Sequence, residues 1–317
     1  MNIGVTGASG FIGSSLCAHL LENHHNLKCS VRDLKKSTLQ KKDNLKIVVD
    51  GNIHQKNDWL EFLSGTECII HCANLTRTIK KKDEFILNEV NVKATENLAK
   101  QAAVNGVKRL IFLSSVKVNG ERTVKSSSFK FNDFPQPQNA YGISKLEAEQ
   151  ALWKISKQTG LEIVIIRAPL VYGENVKGNF LSLLNLIDKG IPLPFAGVNN
   201  LRSFVGLDNL IDLIICCIDN PKAAGQIFLV SDGEDLSTSD LIKKIAEAMG
   251  KTPRLFSLPI FILKFIGRII GKSLETDRLL DSLQVDSSYT HQILGWRPPF
   301  SIDEGLLKTV KWYLRHR

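Results

Sequence analysis

Two groups of residues in this chain have types and spacings that could do chemistry. The first is Tyr141-Gly142-Ile143-Ser144-Lys145. On a helix, a spacing of four puts the phenol and the ammonium on one face. A free phenol titrates near about pH 10, too high for proton transfer at neutrality. A neighbouring ammonium stabilises the phenolate and lowers that value, so the pair can pass a proton to or from a substrate oxygen. Ser114 and Ser115 close an apolar run and add a hydroxyl at the C-terminal end of a strand, the edge where doubly wound folds bind ligands.

The second group is Thr6-Gly7-Ala8-Ser9-Gly10-Phe11-Ile12-Gly13, with a strand before it and a helix after it. Gly7 suits the tight turn, Gly10 lets the backbone approach a pyrophosphate, and Gly13 lets the helix pack close on the strand. The helix N-terminus adds free N–H groups and a positive dipole. In this context Gly7, Ser9, Gly10, Phe11, Ile12 and Gly13 read as the cradle of a dinucleotide. The second strand ends at Val31-Arg32-Asp33. An acid at that tip would bond a ribose 2′-OH and select NAD, whereas an Arg pairs with the 2′-phosphate of NADP. Arg32 takes the tip if the strand stops at Val31, and Asp33 takes it if the strand runs one residue further. Arg32, with Lys35 and Lys36 nearby, favours NADP(H) and leaves NAD(H) possible.

These groups need elements to position them. Short apolar runs alternate with helical patterns: strands at 3–6, 27–31, 45–49, 68–71, 109–113 and 162–166, and helices at 11–23, 58–63, 84–105 and 140–159. Strands that are apolar throughout mean a parallel sheet covered on both faces. The pattern predicts an α/β fold, a doubly wound parallel sheet of Rossmann type with a smaller C-terminal substrate lobe. Residues 1–169 plus about 203–230 are expected to form the dinucleotide-binding domain, and about 170–202 plus 231–317 the lobe. After Arg167 the pattern gives helices near 180–189, 209–217 and 239–249, the last capped by Ser237, and a strand at 226–230. The aperiodic stretch 121–139 reads as a functional or mobile loop. Residues 258–270 are apolar, with Lys264, Arg268 and Lys272 four apart. They fit either a lobe helix that keeps its basic stripe in water or an interfacial amphipathic helix.

Composition narrows the classes. The chain has 317 residues, 43% apolar and 23% charged, which excludes disorder and collagen-like structure. A formal charge of +9 suits anionic ligands. The basic runs Lys35-Lys36 and Lys80-Lys81-Lys82 lack interleaved aromatics, so no nucleic acid is expected as a partner. The six cysteines form no CxxC pair and no His pair has metal spacing, so reduced thiols and no metal are expected. No apolar run is long enough for a transmembrane span, and the first strand begins where a signal peptide would lie, pointing to a cytoplasmic protein.

Glycine loop, strand-end Ser and YxxxK together resemble the extended short-chain dehydrogenase/reductase family, which includes nucleotide-sugar epimerases, dehydratases and 4-keto reductases. The likeness covers nearly the whole chain. Ile70-His71-Cys72-Ala73 resembles the family's strand end beside the cofactor, and Asn91-Val92-Lys93-Ala94-Thr95-Glu96-Asn97-Leu98 its N-V-x-G-T-x-N-L helix. Arg167–Gly173, Arg202–Leu210 and Asp286-Ser287-Ser288 with Leu294-Gly295-Trp296 match later motifs. The resemblance implies that Ser115 bonds a sugar O4, Tyr141 is the acid/base and Lys145 holds the nicotinamide ribose. It places Asn52, Ile53 and Ala73 at the cofactor, and Asn179, Arg202 and Arg278 at the nucleotide-sugar phosphates. It also implies a UDP-sugar substrate and a homodimer through the two long helices.

Departures sharpen this. Gly51-Asn52-Ile53 stands where the family usually has G-D-I, so Asn52 can bond an adenine amino group only through its amide oxygen. Val116-Lys117 follows Ser115 where 4,6-dehydratases carry Asp-Glu, which argues against dehydration. Ser-Ser-Val-Lys-Val-Asn-Gly and 229–238 most resemble bacterial polysaccharide-pathway enzymes. The expectation is therefore an oxidoreductase acting at C4 of a nucleotide sugar. With Arg32 at the tip, NADPH-dependent reduction of a UDP-4-keto-6-deoxy-N-acetylhexosamine is the leading reading. A UDP-hexose 4-epimerase with tightly bound NAD is the alternative. Proteins of this type that only sense NADP(H) tend to lose the Tyr–Lys pair, which this chain keeps.

Overall fold

The alternation of apolar runs and helices folds as a parallel sheet wrapped by helices. The computed structural model describes residues 1–34, 42–76, 83–124 and 127–317. Lys35, Lys36, Lys80, Lys81, Lys82 and Ser126 lie outside the described residues. The elements begin β1 (Asn2–Thr6), α1 (Phe11–Glu22), β2 (Asn26–Val31), β3 (Leu45–Val49), α2 (Leu60–Leu63), β4 (Cys68–His71), α3 (Asp83–Leu87), α4 (Ala94–Val104), β5 (Arg109–Ser115), α5 (Ala140–Thr159) and β6 (Glu162–Ala168). They continue with β7 (Leu170–Tyr172), α6 (Gly178–Asp188), β8 (Arg202–Gly206), α7 (Leu207–Asp219), β9 (Gln226–Leu229), β10 (Asp235–Leu236), α8 (Thr238–Ala248), α9 (Ile260–Ile269), α10 (Ser273–Leu280), α11 (Ser288–Leu294) and α12 (Ile302–His316).

Seven parallel strands run in the order β3-β2-β1-β4-β5-β6-β9. The order reverses between β1 and β4, so a crevice opens at their C-terminal ends. The two faces of β5 and β6 are both buried. Ile111, Leu113, Val164 and Ile166 pack with Leu16, Leu20, Leu213 and Ile214 of α1 and α7. Phe112, Ile163 and Ile165 pack with Ala148, Leu152 and Ile155 of α5. A second, three-stranded sheet runs β10-β8-β7. Its lobe has its own core from α6, α8 and α12, including Leu184, Ile245 and Val310. Of the segment expected to rejoin the large sheet, β9 does so, while β8 pairs with β7 and β10.

Three features depart from the periodic pattern. First, β5 and β6 continue two residues past their expected ends, to Ser115 and Ala168. Ser114 and Arg167 are polar yet buried, because Glu149 of α5 bonds both: Ser114 Oγ at 2.5 Å, Arg167 Nη2 at 2.6 Å and Arg167 Nε at 3.1 Å. Second, the long helix is interrupted by a π-helical turn over Asn88–Lys93 between α3 and α4. Third, the described parts of 121–139 are pinned rather than loose. Thr123, Phe129 and Asp286 exchange backbone hydrogen bonds across to 282–286, and Phe131 stacks on Tyr289 at 3.5 Å. In α9 the basic residues Arg268 and Lys272 are exposed, as for a lobe helix with its basic stripe in water, but the apolar side is largely exposed too. Leu263 and Gly267 face inward and most of its other apolar side chains face out.

The Arg167–Glu149 pair is buried on both sides. Removing one partner of such a pair leaves an uncompensated charge and costs about 3–5 kcal/mol, whereas replacing both by apolar groups is often near neutral. Glu149→Ala is therefore expected to lower stability by that amount in urea unfolding, and Glu149→Leu with Arg167→Met to recover most of it. A double variant as unstable as the single one would show that the pair is not the source.

Candidate active site

The crevice at the sheet's switch point is a cleft of about 700 Å³. It is lined by the glycine loop (Gly7, Ser9, Gly10), the β2 end (Ser30, Val31, Arg32, Asp33), the β3 end (Gly51, Asn52, Ile53) and the β4 end (Cys72, Ala73, Asn74). Lys177, ahead of α6, also reaches it. Gly7 has φ +66°, and a Cβ there would stand 2.7 Å from the Ala73 nitrogen. A Cβ on Gly13 would overlap the Gly7 carbonyl. Gly10 begins α1 with no side-chain cap, leaving the first-turn N–H groups to the cleft. Asn74 Oδ1 is buried without a hydrogen-bond partner. A cradle that any side chain would fill, an uncapped helix start and an unsatisfied amide oxygen fit a dinucleotide. β2 stops at Val31, so Arg32 follows at the tip, exposed, with Asp33 beside it. The side chains of Phe11 and Ile12 pack on the core, and it is their backbone N–H groups that stand in the first turn of α1.

A buried relay fixes the β1 and β4 ends. Thr95 Oγ1 donates to the Asn91 carbonyl at 2.8 Å, so it accepts from His71 Nε2 at 2.9 Å. His71 Nδ1 then accepts from Thr6 Oγ1 at 2.6 Å, and Thr6 accepts in turn from the Ala73 nitrogen at 3.3 Å. This assigns the Nε2–H tautomer from the network. Burial, reinforced by Lys145, pushes the His71 pKa down to about 3, which keeps the ring neutral. The π-helical turn aims Asn91 at two targets. Its side chain brackets both backbone groups of Leu75, at 2.8 and 3.0 Å, and donates to Ser144 Oγ of α5 at 3.0 Å.

Tyr141 and Lys145 lie in the first two turns of α5. Asn139 caps that helix by accepting from the Gly142 nitrogen at 2.8 Å. Gly142 comes so close to the turn after β5 that a Cβ would stand 2.7 Å from the Lys117 carbonyl. This approach sets the Tyr141 phenol near Ser115. Burial pushes the phenol up to about 12, and Ser115 opposes that. The lowering expected from an adjacent ammonium is not what these side chains produce. The reason is that Lys145 is itself fully buried, its Nζ 3.9 Å from the centre of the Phe112 ring. Burial brings its pKa down to about 7, against the pull of Glu149. The ammonium is therefore at the point of losing its proton near neutrality.

Arg202 and Arg278 come together, but apart from the dinucleotide cleft. Arg202 Nη1 donates to the Asp281 carbonyl at 2.9 Å. Burial, then the charge of Arg278, brings Arg202 down to about 10. The third cation, Lys117, was legible only as a departure from the dehydratase pair. It stands two residues past Ser115, where its N–H reaches Ser115 Oγ at 3.3 Å. Burial and then Arg278 lower its pKa, while its bonds to Glu121, at 2.9 and 3.1 Å, raise it. Glu121 also accepts from Asn139, the α5 cap. Lys117, Arg202 and Arg278, with Glu121 and Asp281 among them, leave a net positive site suited to an anion. Asn179 sits exposed in the first turn of α6, with no hydrogen-bond partner among the described residues. Among the described residues, no group of three His, Cys, Asp or Glu side chains could hold a metal ion.

Lys145 gives a test that needs no activity. Its pKa is about 7 when folded against 10.5 when free. Between those values the unfolded chain binds a proton that the folded chain does not, so this group makes stability rise with pH. Lys145→Met should be more stable than the wild type near pH 7, with the difference shrinking toward about pH 8.5 as the penalty on the wild type fades. Urea unfolding of both proteins at the two pH values measures it. An equal difference at both would mean that Lys145 keeps its ordinary pKa.

Comparison with known proteins fits this geometry. The NAD dependent epimerase/dehydratase family matches residues 3–231. A UDP-glucose 4-epimerase of Vibrio cholerae is 43% identical over 316 residues, covering 98% of this chain and 95% of its own length. An N-acetyl-alpha-D-glucosaminyl-diphospho-ditrans,octacis-undecaprenol 4-epimerase of Escherichia coli O157:H7 is 25% identical over 332 residues, covering 99% and 96%. Among solved structures, the UDP-glucuronic acid 4-epimerase of Bacillus cereus superposes with a TM-score of 0.83 at 22% identity, over 99% of both chains. The UDP-glucose 4-epimerase of Thermotoga maritima does so with a TM-score of 0.80 at 22% identity, over 99% of both chains. With a dinucleotide cleft, a Ser–Tyr–Lys group at its edge and this breadth of match, the chain is an enzyme of the NAD dependent epimerase/dehydratase family, the extended short-chain dehydrogenase/reductases.

Proposed function

We propose that the protein is a C4 epimerase of a UDP-hexose or UDP-N-acetylhexosamine. The observation that carries this is that the start of α5 rests on the turn after β5, which gathers Ser115, Tyr141 and buried Lys145 at the sheet edge next to the dinucleotide cleft. The 43% identical relative is a UDP-glucose 4-epimerase, which supports epimerisation over the reduction favoured by the motifs alone. A bound nicotinamide dinucleotide supplies the hydride acceptor and donor. The rest falls to side chains of this chain. Tyr141 takes the proton of the sugar O4 hydroxyl and later returns it. Ser115 holds O4 by hydrogen bond, and Lys145 holds the nicotinamide ribose and favours the phenolate when charged. Arg202, Arg278 and Asn179 bind the sugar nucleotide's phosphates. The cofactor carbohydrate and adenine contacts fall to Arg32, Asn52, Ile53 and Ala73, and the homodimer through the α4 and α5 region belongs to the same proposal.

A second reading keeps a specific support. β2 ends before Arg32, so the tip carries an Arg suited to a 2′-phosphate. That favours NADP(H), exchanged each turnover, and reduction of a UDP-4-keto sugar.

One experiment separates the two. Purified protein is denatured to release any bound nucleotide, and the native protein is incubated with UDP-glucose and UDP-N-acetylglucosamine without added reductant. Epimerisation predicts bound NAD and appearance of the C4 epimer by NMR. Tyr141→Phe should slow it by about 10²–10⁴-fold with cofactor still bound. No epimer, together with NADPH consumption on a UDP-4-keto-6-deoxy sugar, would favour the second reading. Near wild-type turnover in Tyr141→Phe would remove Tyr141 from the proton path.

A further inference from the structure

Helix α9 presents an apolar face that the rest of the described chain leaves uncovered. Only Leu263 and Gly267 are buried: Leu263 packs with Val198 and Leu280, and Gly267 fits against Thr276 of α10. On the opposite side Phe261, Phe265 and Ile269 recur every four residues and are 73%, 63% and 69% exposed. A helix fold stabilised by tertiary packing turns its apolar stripe inward, so three exposed large side chains in a row need another cover.

Charge indicates which cover. Lys264 and Arg268 each stand one position before Phe265 and Ile269, so they border the apolar arc, and Lys272 follows three residues past the helix end. Lys264 is held by Asp277 and Asp281. Arg268 and Lys272 are exposed and have no ion-pair partner among the described residues. The whole chain carries +9. An outward apolar arc edged by unpaired cations is the pattern of a helix lying in the plane of a lipid surface. The aromatic and aliphatic side chains enter the acyl boundary and the cations meet anionic headgroups.

We propose that α9 seats this protein on the surface of an anionic lipid bilayer. The helix is ten residues long and does not cross it. The proposal does not depend on which C4 reaction the enzyme performs.

The test is co-sedimentation of the full chain with vesicles of equal phosphatidylglycerol and phosphatidylcholine, and with vesicles of phosphatidylcholine alone. The protein should bind the anionic vesicles more tightly, and less so at high salt. Phe261→Ser with Phe265→Ser and Ile269→Ser, all at exposed positions, should weaken binding roughly tenfold or more. Arg268→Glu with Lys272→Glu should weaken it by a similar factor and remove most of the salt dependence. Turnover without vesicles should be unchanged in both variants. Failure of the wild type to bind either vesicle overturns the proposal, as does full binding by the triple-serine variant. So does a wild type that binds no vesicle and whose dimer the serine variant splits on size-exclusion, which would make the face a contact between two copies.

Discussion

The site depends on how closely α5 approaches the end of β5. Gly142 sits where a Cβ would press on the Lys117 carbonyl, so only a residue without one allows the helix start to rest on that turn. The approach decides three things at once. It brings the Tyr141 phenol to Ser115. It lets Asn139 both cap the helix and bond Glu121. Through Glu121 it ties the cap to Lys117, on the side where Arg202 and Arg278 gather. The proposed proton chemistry and the proposed anion site therefore share one short turn of backbone.

Burial then sets the charges. Lys145, Arg167 and Glu149 are all nearly inaccessible, yet they are treated differently. Arg167 and Glu149 neutralise each other through two-point contact and keep the strand ends rigid. Among the described residues Lys145 has no such partner at bonding distance, and it rests over Phe112, so its charge is weakly supported. A group poised near neutrality responds strongly to added negative charge or hydrogen-bond acceptors, which is what a bound ribose and a developing phenolate supply. His71 shows the converse: fully paired on both nitrogens, it is locked neutral and serves to align Thr6 and Ala73 at the cleft.

Much of this was legible in the sequence. The apolar runs located β1 to β6, because strands buried on both faces leave an unmistakable pattern. The glycine spacing located the cleft, since Gly7 and Gly13 meet backbone that tolerates no side chain. Where legibility failed, a polar residue was satisfied by a partner far along the chain. Ser114 and Arg167 extend their strands only because Glu149 is there, and periodicity cannot see that. Asn91 required a π-helical turn that no propensity signals. Asn119 is a further case: its amide accepts from Arg167 at 3.1 Å and donates to the Lys130 carbonyl at 3.0 Å. Lys117 was visible as a cation where related enzymes carry an acid, but its grouping with Arg202 and Arg278 needs the lobe in place. The orientation of α9 was open because its apolar and basic residues interleave.

The central claim is that the Ser115–Tyr141–Lys145 group serves removal and return of one hydride at a sugar C4 without release of the ketone. Incubation with a UDP-hexose deuterated at C4, in ordinary water, tests this most directly. The account predicts a C4-epimerised product that keeps its deuterium at C4, read by NMR and mass spectrometry. Epimerised product that has exchanged the deuterium for hydrogen would contradict it.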